Sequence, residues 1–192
     1  MNADATIIDS IVTDKTPTAD IPVDLTFDYL KMRGYFTTSS AFVKGVLCLL
    51  SSQKPVSFID GTDVTIDNSW LKRVDSKNYH HFFPKAYMKR NHPEVEEWLY
   101  NHVANITIVD DYLNKQKIKD RAPSDYILEF KRLNPNLEKD LATHLIVYND
   151  NEDYGINNND YQSFFKKRLT RLLEEFKSRV IITDKDRIDP AE

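Results

Sequence analysis

One long amphipathic segment near the end of the sequence constrains the fold more than any other feature. Residues 160–181 carry apolar side chains at helical spacing, and charged side chains fill the opposite face. The apolar positions are Tyr161, Phe164, Phe165, Leu169, Leu172, Leu173, Phe176 and Val180. Most of the stability of such a helix comes from covering its apolar face with other elements. The sequence therefore predicts a helical domain whose core contains residues 160–181.

Shorter patterns predict the elements that surround this helix. The best supported is a helix that begins at Ser39 or Ser40, both good N-cap residues, and buries one face of residues 42–50. Cys48 lies in that apolar run, so we expect a buried thiol rather than a nucleophile. Weaker patterns predict helices over residues 23–33, 94–100, 112–119, 125–133 and 136–147, with Ser124 capping the fourth of these. Alternating or β-branched residues predict strands over residues 64–66 and 105–109.

A polar segment over residues 149–160 has the composition of a calcium-binding loop but not its pattern. Counting from Asn149, the sixth position, where the loop requires glycine, is Tyr154. The twelfth position, where the loop places a bidentate glutamate, is Asp160. We therefore expect a solvated polar turn here rather than a cation site.

Length and cysteine usage narrow the class of protein. A chain of 192 residues suits one domain, and its single cysteine cannot form a disulfide framework or a zinc ribbon within the chain. The apolar stretches fall short of the roughly 20 residues of a membrane helix, and the first residues lack a secretory signal pattern. These features predict a cytoplasmic protein without a membrane partner.

The charge is unevenly distributed along the chain. A formal net charge of −4 argues against a nucleic-acid binder whose whole surface is basic. Residues 72–121, however, hold ten Lys or Arg and seven Asp or Glu, a local excess of +3. This excess predicts one small basic face.

The same region carries the residues that best suit chemistry. Two adjacent histidines, His80 and His81, precede Pro84 on an extended segment, where neighbouring side chains point to opposite faces. A predicted strand that opens with Asn105 follows, and then a predicted helix that contains Asn114. This order predicts a strand–strand–helix unit that brings the segments with Asn105 and Asn114 to the segment with the two histidines.

These motifs resemble the HNH, or ββα-metal, nuclease motif, and in particular the C-terminal HNH domain of GmrSD-type restriction endonucleases. The matching segments are His-His-Phe-Phe-Pro-Lys-Ala-Tyr at 80–87, Asn-His-Val-Ala-Asn-Ile-Thr-Ile-Val at 101–109, Leu-Asn-Lys-Gln-Lys-Ile at 113–118 and Ala-Pro-Ser-Asp-Tyr at 122–126. A weaker likeness covers most of residues 24–182. An ordered run of this kind is more specific than a single-motif match.

The resemblance implies a role for each motif residue. His81 falls at the position of the general base, which takes a proton from the water that attacks a DNA phosphodiester. His80 and Asn114 fall at the positions of the metal ligands, and Asn105 at that of the asparagine that ties the strands together and helps to orient the base. The sequence has Asn114 where the motif's name has His, a substitution that many HNH nucleases share.

The resemblance also implies a divalent metal ion and a DNA substrate. A ligand pair of His and Asn is softer than two carboxylates, so Mg, Mn, Ni and Zn all remain candidates for the ion. Nearby cations could contact backbone phosphates, which position a duplex without reading its sequence. These cations are Lys85, Lys115, Lys117, Lys119 and Arg121.

The expected architecture is mainly α-helical with a small α+β centre, a helical domain that embeds the ββα-metal motif. We expect an N-terminal arm or linker over residues 1–22, the domain over 23–182 with its core motif at 77–121, and a tail over 183–192. In relatives, a nucleotide-hydrolysing domain with an Asp-Gly-Gln-Gln-Arg signature normally precedes this part. That signature is missing here, so the chain resembles the nuclease half, which would act with a nucleotide-hydrolysing partner subunit or domain.

Two functions from different classes follow from this reading. The first is a metal-dependent DNA endonuclease or nickase, which by resemblance would belong to a restriction system that acts against phage DNA. The second is a non-catalytic helical module that keeps the HNH scaffold and binds DNA or protein. The four motif residues favour the enzyme, and the low net basicity favours the interaction module.

Overall fold

A computed structural model describes residues 3–13, 24–64, 79–109 and 117–180. Over these residues the chain forms eight α-helices, two strands and a 3₁₀ turn at Val103–Asn105. The helices are α1 (Ala3–Val12), α2 (Phe27–Arg33), α3 (Ala41–Ser52), α4 (Lys85–Asn91), α5 (Glu97–Tyr100), α6 (Pro123–Leu133), α7 (Leu137–Ala142) and α8 (Tyr161–Lys177). The strands are β1 (Tyr79–His81) and β2 (Ile106–Ile108). The chain is therefore mainly α with a small β centre, as the sequence predicted.

The two strands form an antiparallel ladder whose register fixes the candidate site. Tyr79 pairs with Ile108, His80 with Thr107 and His81 with Ile106. The ladder continues past the strand ends, because the Phe82 amide donates to the carbonyl of Asn105 over 2.8 Å. The register therefore fixes which residues of β2 lie opposite His80 and His81.

Helix α8 buries its apolar face in the core, which confirms the helix predicted over residues 160–181. The Asp160 side chain caps its first turn by accepting from the Ser163 amide over 3.1 Å. The ring of Phe164 stacks on Phe82 with centroids 4.9 Å apart and planes at 7°. Because Phe82 follows β1 directly, this stack joins α8 to the segment that carries the two histidines.

A buried arginine on α8 adds a polar connection that the sequence pattern did not predict. The Arg168 guanidinium is fully buried and donates to the carbonyls of Ala104, Ile106 and His144 over 2.8, 2.6 and 3.1 Å. Burial lowers the pKa of Arg168 to about 9, which still leaves it charged at pH 7. The charge is solvated by backbone dipoles from the 3₁₀ turn before β2, from the first residue of β2 and from the turn after α7.

Several predicted helices are shorter than their patterns indicated. The segment expected over residues 136–147 is helical only over α7, because the chain turns at Thr143 and Leu145 takes a left-handed φ of 58°. The segment over 23–33 is helical from Phe27, and the segment over 94–100 is helical from Glu97. The expected strand over 64–66 and helix over 112–119 lie mostly outside the described residues.

Two side-chain predictions were wrong. Ser124 does not cap α6, which begins at Pro123 after Ala122; the Ser124 amide instead donates to the Asn159 side chain over 3.0 Å. Cys48 is exposed rather than buried. The buried face of α3 contains Val46 and Leu50, and a residue two positions from each is rotated by about 200° to the opposite face. The Ser40 cap was predicted correctly, since its side chain accepts from the Val43 amide.

The polar segment after α7 is a turn that satisfies its own backbone, as expected. The Asn149 side chain accepts from the amides of Asn151 and Glu152, and Asp153 accepts from those of Gly155 and Asn157. These oxygens are therefore engaged in turn formation.

In the part of the chain that the structure describes, no helix combines the length and apolarity needed to cross a membrane.

Gly34 ends α2 where the backbone approaches a buried histidine, and this contact gives the first prediction. A Cβ at Gly34 would lie 2.0 Å from Nε2 of His102, so Gly34→Ala should lower the free energy of unfolding by about 1–3 kcal/mol. Gly45 in α3 is a matched control, because a Cβ there meets nothing within 4 Å. Gly45→Ala should stabilise the protein by about 0.5–1 kcal/mol through helix propensity. Urea unfolding of both variants checks the pair, and equal midpoints would contradict the close packing.

Candidate functional site

The candidate site is a small pocket beside β1. It has a volume of about 210 Å³ and is lined by Tyr79, His80, His81, Pro84, Lys85, Ala86 and Lys119. Four of the residues that the sequence predicted for the site therefore line one cavity, namely His80, His81, Lys85 and Lys119. Lys119 lies in the turn that precedes α6, with a left-handed φ of 54°.

Asn105 fixes the backbone that follows the histidines. Its side chain is fully buried; Oδ1 accepts from the Phe83 amide over 2.9 Å, and Nδ2 donates to the carbonyls of Phe83 and Tyr100, each over 2.9 Å. These contacts with Phe83 fit an asparagine that ties the two strands together, the role that the resemblance implies for Asn105. Asn105 thus ties the end of β1 to the end of α5 and to the start of β2.

His81 lines the pocket, and its ring contacts Asn101 and Phe36. Its Nε2 lies 2.9 Å from Oδ1 of Asn101, a residue that the sequence analysis did not select. Phe36 packs edge-on against the ring, with centroids 6.0 Å apart and planes at 85°. Burial lowers the pKa of His81 to about 4, in spite of the opposing effect of the Asn101 contact. The imidazole is therefore neutral at pH 7 and offers a lone pair.

His80 is buried with its ring nitrogens bare. Only 3% of the residue is exposed, and among the described residues neither ring nitrogen has a hydrogen-bond partner. Burial is the main reason that the pKa of His80 falls to about 3. A buried neutral imidazole with unpaired nitrogens is costly in an apolar setting but suits a metal ligand. His80 therefore fits the ligand position that the resemblance implies.

The described residues hold only part of the ligand set that the resemblance implies. Asn114, the expected second ligand, and Lys115 fall in the segment outside them. Within the described ranges, no group of three His, Cys, Asp or Glu side chains has a metal-ligating arrangement. His102 and His144 are not ligand candidates, because each is buried in the core and bonded to backbone. His144 in particular packs edge-on against Phe58 in the core.

Two of the predicted phosphate-binding cations are engaged in ion pairs. Lys85 Nζ lies 2.9 Å from a carboxylate oxygen of Glu97, and Arg121 lies 2.7 Å from Glu129. The Arg121 guanidinium also donates to the carbonyl of Lys117 over 3.2 Å. Lys119 is exposed at the pocket rim. The basic face is therefore smaller than the charge count suggested, although exposed pairs of this kind are weak and can exchange partners.

Comparisons with family models, with curated proteins and with solved structures gave no match. The case for a function therefore depends on the residues of this chain.

The Asn105 contacts give a prediction that separates scaffold from chemistry. Asn105→Ala would leave three buried backbone groups without a partner, so we expect a loss of about 3 kcal/mol in the free energy of unfolding. Asn91→Ala is the matched control, because the exposed Asn91 makes one backbone contact and should cost less than about 0.5 kcal/mol. Denaturant unfolding measures both losses. Equal stability of the two variants would show that Asn105 is a bystander.

The buried histidines outside the pocket predict a strong acid sensitivity. In His102, Nδ1 accepts from the Ala104 amide while Nε2 faces the Lys31 carbonyl, and in His144 Nε2 faces the Val56 carbonyl. Burial lowers the pKa of His102 to about 4 and that of His144 to about 3. Between these values and the unfolded pKa of about 6.5, the unfolded chain binds more protons, so stability falls as the pH falls.

Each such histidine contributes a slope of about 1.4 kcal/mol per pH unit in this window. Urea unfolding between pH 7 and pH 5 measures the total slope. His144→Gln keeps a donor for the Val56 carbonyl. It should reduce the slope by the contribution of one histidine, about 1.4 kcal/mol per pH unit. His92→Gln, at a partly exposed site, should leave most of the slope in place. An unchanged slope in His144→Gln would contradict the burial of a neutral ring.

Proposed function

We propose that this protein is a metal-dependent DNA endonuclease or nickase, with the pocket beside β1 as its active site. The observation that carries the proposal is the pairing of β1 with β2, in which Asn105 fixes the backbone that follows two adjacent histidines, the buried His80 and the half-buried His81. One of them, His81, is neutral and faces a pocket with lysines at its rim. The other, His80, is a buried imidazole whose two ring nitrogens have no hydrogen-bond partner among the described residues.

The residues of the pocket suit phosphodiester hydrolysis. The neutral ring of His81 accepts a proton from water while the water oxygen attacks phosphorus. The ester P–O bond then breaks, the leaving oxygen takes a proton from solvent, and the imidazolium returns its proton to solvent. The negative charge of a bound phosphate raises the pKa of a neighbouring imidazole, which brings His81 closer to the working pH.

His80 and, by the resemblance, Asn114 would hold a divalent ion. Such an ion supplies positive charge for the phosphate oxygens and the leaving group. Lys119, and Lys85 after release from Glu97, would contact the phosphates on either side. A role in restriction of phage DNA, together with a nucleotide-hydrolysing partner, belongs to the same proposal and depends on the resemblance alone.

The ion pairs favour a second candidate, a non-catalytic module that binds DNA or protein. Because Lys85 and Arg121 each face a carboxylate, the electrostatic footprint for a duplex is reduced. Such a module would keep the Asn105 scaffold and have no need of a proton acceptor at His81.

A plasmid-nicking assay discriminates between the two functions. Supercoiled plasmid is incubated with the full chain and Mg²⁺ or Mn²⁺, and parallel samples contain a chelator. Relaxed or linear plasmid that forms only with metal supports the nuclease. Plasmid that is bound but stays supercoiled with every metal supports the interaction module and contradicts the nuclease.

A further inference from the structure

An uncharged imidazole has two tautomers, and they differ in which nitrogen can accept a proton. The contacts of the His81 ring decide between them. One nitrogen carries hydrogen and the other carries a lone pair. Nε2 lies 2.9 Å from Oδ1 of Asn101, so the contact pairs one hydrogen with one acceptor. The orientation of the Asn101 amide decides which side supplies the hydrogen.

That orientation is set by a backbone carbonyl. Nδ2 of Asn101 lies 3.4 Å from the carbonyl oxygen of Phe36, which can only accept. The NH₂ group of Asn101 therefore faces Phe36, and its oxygen faces His81. Because an amide oxygen can only accept, the hydrogen between the two side chains belongs to Nε2 of His81.

Asn101 is itself held in place by its main chain. The main-chain N–H of Asn101 donates to the main-chain carbonyl of Glu97 over 2.7 Å, and the main-chain carbonyl of Asn101 accepts from the main-chain N–H of Phe36 over 2.8 Å. The residue is only 7% exposed. Since Phe36 also packs on the His81 ring, the same segment orients both the amide and the imidazole.

We propose that Asn101 is a positioning residue that holds His81 in the Nε2–H tautomer, so that Nδ1 is the nitrogen that takes the proton from the attacking water. The relay runs from the Phe36 carbonyl through the Asn101 amide to the imidazole. Its catalytic consequence rests on the proposed nuclease function, whereas the tautomer itself does not.

Nuclear magnetic resonance can read the tautomer directly. The full chain is labelled with ¹⁵N in its five histidine rings, and long-range ¹H–¹⁵N correlations are recorded at pH 7. The His81 signals are those lost in His81→Gln. We expect a protonated Nε2 and an unprotonated Nδ1. A protonated Nδ1 in the wild-type protein would overturn the proposal.

Two substitutions at Asn101 test whether this residue sets the tautomer. Asn101→Leu removes the acceptor at similar volume, so both tautomers of His81 should become populated. Asn101→Asp keeps an accepting oxygen and should retain hydrogen on Nε2. Because the carboxylate also raises the pKa of the ring, the spectra of this variant are recorded above the pH at which its His81 titrates. Asn91→Leu is the control, and its His81 signals should match the wild type. A wild-type pattern in Asn101→Leu overturns the proposal; if that variant does not fold, loss of the Nε2–H form in Asn101→Asp overturns it.

Kinetics link the tautomer to the reaction. In the nicking assay Asn101→Leu should lower kcat by about 10- to 100-fold with little change in KM, because a poorly placed base acts on the chemical step. A shifted tautomer with unchanged kcat would overturn the role in catalysis. A wild-type protein that shows the expected tautomer but never nicks DNA is a separate outcome. That result would support the role of Asn101 in setting the tautomer and would contradict the proposed nuclease.

Discussion

His81→Ala should lower the rate of DNA nicking by about 10²–10⁴-fold, the usual contribution of a general base. Binding of DNA should remain nearly unchanged, because the base contributes mainly in the transition state. The variant should also remain folded, since the hydrogen bond of the ring to Asn101 is its one side-chain bond among the described residues, and the ring lies at the edge of the core. Single-turnover nicking with saturating metal measures the rate, and a filter-binding titration measures the affinity.

The control for this experiment is His92→Ala. His92 lies at the end of α4 and contacts Glu94 over 3.3 Å, outside the pocket, so its replacement should leave nicking intact. Comparison with Asn105→Ala adds a second distinction, because that variant should lose stability as well as activity. A folded His81→Ala protein that nicks plasmid as fast as wild type would exclude His81 as the base.

Arg168→Met should destabilise the protein by about 3–5 kcal/mol, the largest loss of stability that we expect from one substitution. The change removes a buried cation and leaves the carbonyls of Ala104, Ile106 and His144 without their donor. Methionine fills much of the volume, so the loss reports mainly the unsatisfied acceptors. Urea unfolding at pH 7 gives the difference in the free energy of unfolding.

Arg171→Met, on the next turn of the same helix, is the matched control. Arg171 pairs with Glu174 and Glu175 at the exposed surface, so its loss should cost no more than about 1 kcal/mol. Arg168→Lys should lie between the two, because one ammonium group cannot reproduce two guanidinium nitrogens that serve separate carbonyls. Similar losses for Arg168→Met and Arg171→Met would contradict a structural role for the buried charge.

Features that depend on local periodicity were predicted well. Helices α3 and α8 follow from apolar spacing, and the Ser40 cap follows from the residue type at a helix start. Asn105 could also be predicted, because an asparagine at the start of an Ile- and Val-rich strand suits the sheet poorly. Its contact with Phe83 explains the residue.

Features that depend on distant partners could not be predicted. Asn101 acts through Phe36, which lies 65 residues earlier in the chain, and no periodic pattern connects them. Arg168 did leave a signal, since it occupies the apolar stripe between Phe165 and Leu172 at helical spacing. Its carbonyl partners, however, are set by tertiary packing. The length of α7 was misjudged for the same reason, because the turn after it is fixed by the contact of His144 with Val56.

The Arg168 contacts also set an order of assembly during protein synthesis. The guanidinium lies 64 residues after Ala104, whose carbonyl it binds. At translation rates of about 5–20 residues per second, roughly 3–13 s separate the synthesis of these two residues. During that interval the carbonyls of Ala104 and Ile106 lack the guanidinium donor and must be hydrated by water. His80 and His81 are therefore synthesised early, but the sheet that carries them reaches its final contacts late. Those contacts form only when α8 has been synthesised and Arg168 can replace that water.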